Sequence, residues 1–310
     1  MEVTAALLDK FETIVLVDSS YCLYRDFFAS SHLECNGVKT GHYNGFGRML
    51  LSFYEFNLVE PRLILCCFDS PADIRAKIFP EYKKTEQRKE THKLAPPIHS
   101  QVPDFKLMVN AIPNAYCLQW DGYEGDDIIQ NIVTRFPGRD YMIFSTDEDL
   151  YYLKQHGAEF WQNFNNPINI RQRLEKKYRI TVPGLVPYLK VLYGDKSDNI
   201  PRIFGLKETK KIIPRWFDQQ KITLFTPELQ EKREEIIRNY KLVQKIKKKE
   251  LIMDEKPPEK EKNFQKNLIS MCSRLKLWTF LSGLATHKLL SEKVCDKILA
   301  KFKSEELDDK

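Results

Sequence analysis

No apolar run in this chain approaches the roughly 20 residues that a membrane helix needs, so a helical span is not expected. Residues 1–17 carry Glu2, Asp9 and Glu12 and no basic n-region, so a secretory signal is not expected. None of the seven cysteines forms a CxxC pair, and Cys66 and Cys67 are neighbours in a strand-like run. An odd count without a framework points to reduced thiols and a cytoplasmic setting. There is no internal repeat and no low-complexity tract. There is also no Gly-x-Gly-x-x-Gly after a strand, no Walker A loop and no nucleophile elbow. His32, His42, His92, His99, His156 and His287 have no metal-ligand spacing.

What the chain does have is acid at the ends of hydrophobic elements. Ile14 to Val17 ends in Asp18, Leu63 to Phe68 in Asp69, and Tyr141 to Ser145 runs to Asp147 and Asp149. Ala115 to Trp120 is a fourth apolar run and stops just before Glu124, Asp126 and Asp127. Near-continuous apolar strands are buried on both faces, as in parallel sheets. Helical patterns lie at Tyr43–Phe56, Asp104–Ala111 and Gly125–Arg135, so the alternation predicts an α/β doubly wound fold. The crevice of such a fold lies at the carboxyl ends of the strands, where Asp18, Asp69 and Asp147 fall.

Carboxylates about 4 Å apart repel by about 4 kcal/mol at an effective dielectric of 20. A convergent cluster therefore calls for hard divalent cations, which take oxygen ligands and support phosphoryl chemistry. Simpler readings stand beside this one. Glu124, Asp126 and Asp127 also suit the positive end of a helix, and Asp147 with Asp149 also suits an acidic loop. Gly194-Asp195-Lys196-Ser197-Asp198-Asn199-Ile200-Pro201 reads either as a helix C-cap with a polar turn or as two further carboxylates three residues apart.

Net charge is +6 in 310 residues. Setting aside Asp18, Asp69, Glu124, Asp126, Asp127, Asp147, Asp149, Asp195 and Asp198 leaves 34 of 43 acids against 49 Lys and Arg, a surplus of 15 that suits a polyanion. Between Asp73 and His99, Arg75, Lys77, Lys83, Lys84, Arg88, Lys89 and Lys93 alternate with Glu81, Glu86 and Glu90. That pattern is either a solvated helix with i,i+4 pairs or a phosphate-binding run. Beyond residue 180 the pattern is helical: Val182–Tyr193, Glu208–Phe217, Glu228–Lys249, Asn263–Ser282 and Ser291–Phe302, with Pro257-Pro258 in an exposed loop.

Taken in order, these motifs resemble the flap endonuclease and 5′-3′ exonuclease family. The resemblance rests on Gly122-Tyr123-Glu124-Gly125-Asp126-Asp127, Ser145-Thr146-Asp147-Glu148-Asp149 and Gly194-Asp195-x-x-Asp198-Asn199-Ile200-Pro201. It is joined by Phe79-Pro80-Glu81-Tyr82-Lys83 after Arg75, and by Thr40-Gly41 through Leu50. It covers about two thirds of the chain, Asp18 to Lys211, and is strongest with the stand-alone bacteriophage members, ribonucleases H of T-even phages among them.

The resemblance implies a PIN-like 5′ nuclease fold, with a mostly parallel central sheet flanked by helices. It places an α/β core at 1–180, a helical arch at about 73–100, and a helical duplex-binding region at 181–310 with a helix-three-turn-helix hairpin at about 188–217. It implies two Mg²⁺ or Mn²⁺ ions, one held by Asp18, Asp69, Glu124 and Asp126, the other by Asp147, Asp149 and Asp198. Asp126 stands between them, and Asp127 and Asp195 take outer roles. Arg75 and Lys83 are expected at the scissile phosphate, Tyr82 against a nearby base, and Arg88 on the substrate. The family's hairpin core is Gly-hydrophobic-Gly around a monovalent cation such as K⁺. Here it is Gly205-Leu206-Lys207, so Lys207, with Lys210 and Lys211, is expected to supply charge to the duplex.

The activity implied is 5′-3′ exonuclease and flap endonuclease cleavage of branched or nicked DNA and RNA–DNA hybrid during primer removal, by a monomer alongside replication proteins. A PIN-like endoribonuclease would share the strand-end acids without the hairpin and basic run. An inactive junction-binding scaffold would tolerate loss of carboxylates.

Overall fold

The computed structural model describes residues 1–57, 62–70, 74–94, 98–163, 165–254 and 262–308. The expected loop at Pro257-Pro258 lies outside them. Along the sequence the chain alternates between two compact units, residues 1–68, 97–119 and 252–310 in one and 69–96 and 120–251 in the other. No single cut, such as one near residue 180, separates them. The fold is α/β, with mostly parallel sheet strands flanked by helices.

In the first unit, β1 (Thr13–Asp18), β4 (Arg62–Cys67) and β5 (Ala115–Leu118) run parallel in the order β5-β4-β1. Leu16 faces Leu65 and Asp18 faces Cys67 in register. Val15, Leu16, Ile64 and Leu65 are all fully buried, and each such side chain contributes about 1.5–3 kcal/mol. Burial on both faces explains why these strands read as unbroken apolar runs. Between them, β2 (Glu34–Cys35) and β3 (Val38–Lys39) form a small hairpin. Its two turn residues, Asn36 and Gly37, both have positive φ, 52° and 79°, as a two-residue primed turn requires. Helices Ser19–Ala29, Gly41–Asn57 and Ile98–Asn110 belong to this unit, with Lys262–Arg274, Trp278–Thr286 and Glu292–Asp308. The helix expected over Asn263–Ser282 is therefore two, broken where Lys276 takes a left-handed conformation, φ 52°.

The second unit contains β6 (Asp140–Phe144), parallel to β7 (Ala158–Asn163), and β8 (Asn166–Pro167), antiparallel to β7. Its helices include Arg75–Ile78, Glu86–Leu94, Gly125–Arg135, Val186–Tyr193, Leu206–Asp218 and Arg233–Val243. The helix expected over Glu228–Lys249 stops at Val243, and the physical reason lies in a neighbouring helix. Asp127, Asn131 and Arg135 share one face of Gly125–Arg135 at four-residue spacing and take up the backbone of 246–249. Asp127 Oδ1 accepts from Ile246 N–H at 3.0 Å, Asn131 Oδ1 accepts from Lys248 N–H at 2.9 Å, and Arg135 donates to the Lys249 carbonyl at 2.7 Å. Those bonds replace the intrahelical ladder.

All seven cysteines are buried. Burial pushes the Cys66 thiol well above its ordinary value. Among the described residues, no helix is long and apolar enough to cross a membrane.

Candidate metal centre

The acids of the second unit are placed by three local devices. Beyond β6, the Asp147 carboxylate accepts from Asp149 N–H at 2.9 Å and starts the 3-10 helix Glu148–His156. Asp126 and Asp127 lie on the first turn of helix Gly125–Arg135, with Glu124 immediately before it. That helix start is tied back by Asp69, whose Oδ1 accepts from Gly125 N–H at 2.6 Å. The third device is the loop after helix Val186–Tyr193. Gly194 has φ 77°, and a Cβ there would sit 2.6 Å from the Ile200 carbonyl oxygen, so only glycine fits. Asp195 and Ile200 then exchange both backbone hydrogen bonds, 3.0 and 2.8 Å, and close the loop that presents Asp198.

Together these devices make a chain of carboxylates. Ligand-capable oxygens lie within 4.8 Å of one another in three overlapping groups: Glu124, Asp126 and Asp127; Asp126, Asp147 and Asp149; Asp149, Asp195 and Asp198. Asp126 and Asp149 each belong to two groups. At that separation each charged pair repels by roughly 3–4 kcal/mol at an effective dielectric of 20.

Side-chain cations offset this repulsion. Lys83 pairs with Glu124, Lys245 with Asp126, and Lys190 with Asp149 and, at 2.5 Å, Asp195. Arg88 meets Asp198 at 2.8 Å. Burial raises the Glu124 carboxyl to about 7, against the pull of Lys83 and with the push of Asp126. Burial also acts to raise Asp126, but Lys245, Arg75 and Lys83 overcome it and hold that carboxyl below the ordinary range. Asp147 keeps exposed surface, yet the protein packed around its carboxyl, then Asp149, push it up to about 6. Asp195 is also desolvated, and Lys190 pulls it down to about 2.

Two residues expected at the substrate make contacts within the protein. Arg75 is fully buried. Its guanidinium makes a two-pronged pair with Asp127, at 2.8 and 2.7 Å, and donates from Nε to the Leu242 carbonyl at 2.9 Å. A group so placed organises the acid cluster. Tyr82, expected against a base, is 5% exposed, and its hydroxyl donates to Asp198 Oδ2 at 3.1 Å. The Pro-Glu-Tyr-Lys segment thus closes onto the Asp198 loop. Lys83 N–H donates to the Asp198 carbonyl at 2.9 Å, and the Asn199 side chain donates to the Glu81 carbonyl at 2.8 Å.

Asp127 also differs from its neighbours. Oδ1 accepts from Arg75 and Ile246, and Oδ2 from Arg75 and Glu124 N–H at 3.2 Å. Both oxygens are committed to the fold, so the capping explanation holds for this residue. Asp126 is the opposite case. Its Oδ1 is buried and has no hydrogen-bond partner among the described residues. An orphaned carboxylate oxygen among converging carboxylates fits a hard divalent cation. The residues that fit as ligands are Glu124, Asp126, Asp147, Asp149 and Asp198, with Asp69 and Asp195 beside them. Asp18 is described in the first unit, where it ends β1 and its Oδ1 accepts from Tyr21 N–H at 3.0 Å, capping helix Ser19–Ala29.

Sequence reasoning missed Lys190 and Lys245. Lys190 left a signal, being the one charged residue in the apolar helix Val186–Tyr193. Lys245 left none, because it stands in a lysine-rich run that reads as solvated surface. The hairpin residues are in view of solvent. Gly205 N-caps helix Leu206–Asp218 and donates to Glu208 Oε2 at 3.2 Å, and Lys207 and Lys211 are exposed with Lys210 half-buried.

Comparison with known proteins bears on this geometry. Residues 13–179 match the family model described as 5′-3′ exonuclease, N-terminal resolvase-like domain. The chain is similar to a 5′-3′ exonuclease of Aquifex aeolicus (strain VF5), 31% identical over 245 residues that span 75% of this chain and 81% of that protein. It is also similar to DNA polymerase I of Bacillus caldotenax, 33% identical over 205 residues, 63% of this chain and 22% of the polymerase. Two solved structures share the fold. The T5 D15 protein co-crystallized with metal ions aligns with a TM-score of 0.51 at 17% identity, over 93% of this chain and 98% of that one. Flap endonuclease-1 from Methanococcus jannaschii aligns with a TM-score of 0.51 at 13% identity, over 94% and 96%.

Proposed function

Since the chain belongs to the 5′-3′ exonuclease family and is a nuclease by that membership, we propose that it cleaves phosphodiesters at the 5′ ends and flaps of branched, nicked or RNA-primed DNA. The observation that carries this reading is the run of linked carboxylates in the second unit, with the orphaned Asp126 Oδ1 at its junction. Glu124 and Asp126 would hold one divalent ion, Mg²⁺ or Mn²⁺, and Asp147, Asp149 and Asp198 a second. Such ions lower the pKa of a bound water and stabilise charge on a leaving oxygen.

The chain's own residues do the rest. Asp127 and Arg75 fix the start of helix Gly125–Arg135 and so aim Asp126 and Glu124. Lys83 and Arg88 hold Glu124 and Asp198 and are the cations best placed to turn toward a phosphate. In a site shielded from water, such a donor stabilises developing negative charge far more than it would in bulk solvent. Lys207, Lys210 and Lys211 lie in the first two turns of the second helix of the hairpin, where their ammonium groups suit duplex phosphates. Binding there would set the distance from duplex to cut. A role in primer removal follows from the substrate class.

The test is cleavage of end-labelled flap, nicked, RNA–DNA hybrid and single-stranded substrates, with and without Mg²⁺. Metal-dependent cleavage of flap and nicked substrates ahead of single strands supports the proposal. Cleavage of single-stranded RNA alone would replace it with the endoribonuclease reading.

A further inference from the structure

Beside the carboxylate run, within the same unit, lies a cavity of about 200 Å³. Its wall includes Asp149 and Lys245, but most of it has no part in the metal centre. Tyr152, Tyr188, Phe217 and Tyr240 supply aromatic rings, and Gln130 a carboxamide. Gln130 follows Asp126 by four residues, on the same side of helix Gly125–Arg135. It is 7% exposed. Its Nε2 donates to Thr134 Oγ1 at 3.2 Å, while its Oε1 is buried with no hydrogen-bond partner among the described residues. Leaving a buried carbonyl oxygen unpaired is costly, and native interiors seldom do so without an occupant that supplies a donor. Tyr188 stands edge-on to Phe217 with centroids 6.5 Å apart, which gives the wall a ring beside a ring. Lys247, exposed, lines the cavity along with Lys245.

We propose that this cavity binds one nucleobase carrying a 5′-phosphate, with the base against the aromatic rings, an N–H edge donating to Gln130 Oε1 and the phosphate toward Lys247. Every base offers a π-face for stacking on such side chains. A carboxamide oxygen reads an N–H donor on the base edge. The volume is small against the roughly 300–1,000 Å³ of drug-sized pockets, which suits a single base and excludes a base pair. The same chemistry is offered by a free mononucleotide and by an unpaired base of a bound strand. The link to product or substrate rests on the nuclease reading, but binding itself does not.

The experiment has two arms. In EDTA, dAMP, deoxyribose 5-phosphate and inorganic phosphate are titrated calorimetrically into the full chain and into Gln130→Leu and Tyr188→Ala. The second variant alters a partly exposed ring and keeps the test readable if the first fails to fold. In Ca²⁺, a flap substrate bearing 2-aminopurine at the unpaired position is bound to the same proteins and its fluorescence is read. Saturable dAMP binding, at least tenfold weaker in the variants and at least tenfold tighter than that of either base-free ligand, supports a free mononucleotide as occupant. Fluorescence quenching that depends on Gln130 or Tyr188, without dAMP binding, supports a strand base. Equal binding of dAMP and inorganic phosphate, or no dependence on either residue in either arm, overturns the proposal. Neither arm reads cleavage, so an inactive enzyme leaves both interpretable.

Discussion

Arg75 grips Asp127 through two parallel hydrogen bonds of 2.8 and 2.7 Å, both groups fully excluded from solvent. The pair joins the short helix Arg75–Ile78 to the first turn of the helix that carries Asp126. Removing one partner leaves the other charge buried without its counter-charge, which costs about 3–5 kcal/mol. Arg75→Ala is therefore expected to lower unfolding free energy by that amount in urea titrations of the metal-free protein. A decrease below about 1 kcal/mol, the scale of an exposed pair, would mean that the pair is not structural.

Lys245 occupies Asp126 in the same cluster. A divalent ion at Asp126 would have to displace that ammonium. In Lys245→Met the metal-free protein should lose stability, because Asp126 is left unpaired, while Mg²⁺ should bind more tightly. Since a ligand specific to the folded state stabilises it in proportion to ln(1 + [L]/Kd), Mg²⁺ should raise Tm more in this variant than in the wild type. An equal rise in both would show that Lys245 and the metal do not compete.

The hairpin lysines give a separate expectation. Alanine at Lys207, Lys210 and Lys211 should weaken binding of nicked and flap duplexes alike. It should also flatten the log–log salt dependence by about 0.9 for each duplex phosphate that a lysine no longer neutralises. Single-turnover cleavage at saturating enzyme should hold steady. An unchanged salt slope would remove these residues from the interface.

A histidine of the first unit sets a pH dependence. His42 is fully buried, its Nε2 lies 2.7 Å from Gln101 Oε1, and Phe27, Tyr43 and Phe105 surround the ring. Burial lowers its pKa, against the opposing effects of Gln101 and Asp26. The unfolded chain then binds the extra proton first, so stability is present above the ordinary imidazole pKa of about 6.5 and is lost as pH falls below it. The loss accumulates as pH falls below about 6.5, and His42→Phe should flatten that slope. A slope unchanged by the substitution would place the titrating group elsewhere.

Much of this was legible in the residues. The apolar strands ending in acids announced an α/β sheet, because burial on both faces removes polar alternation and leaves the strand-end carboxylates conspicuous. Asp147 and Asp149 stood out for the same reason, beyond strand β6, whereas the Asp198 loop follows a helix and stood out by its motif. The contacts of Arg75 and Tyr82 were not legible, since nothing local distinguishes a cation facing solvent from one buried against an acid about 50 residues away. Lys245 was hidden further. Its position depends on helix Arg233–Val243 ending early, and that depends on Asp127, Asn131 and Arg135 capturing the following backbone. Such side-chain-to-backbone bonds across more than 100 residues leave no periodicity.

The central claim is that Asp126 and its neighbouring carboxylates support divalent-metal cleavage of 5′ flaps. The most direct measurement is single-turnover cleavage of a 5′-flap duplex by the wild type and by Asp126→Asn, each in Mg²⁺ and in EDTA, with the product ends identified. The account predicts a 5′-phosphate product from the wild type in Mg²⁺, no cleavage in EDTA, and a rate at least about 10³-fold lower in Asp126→Asn, with flap binding in Ca²⁺ retained. Wild-type cleavage that persists in EDTA, or an Asp126→Asn rate within a few fold of the wild type, would contradict it.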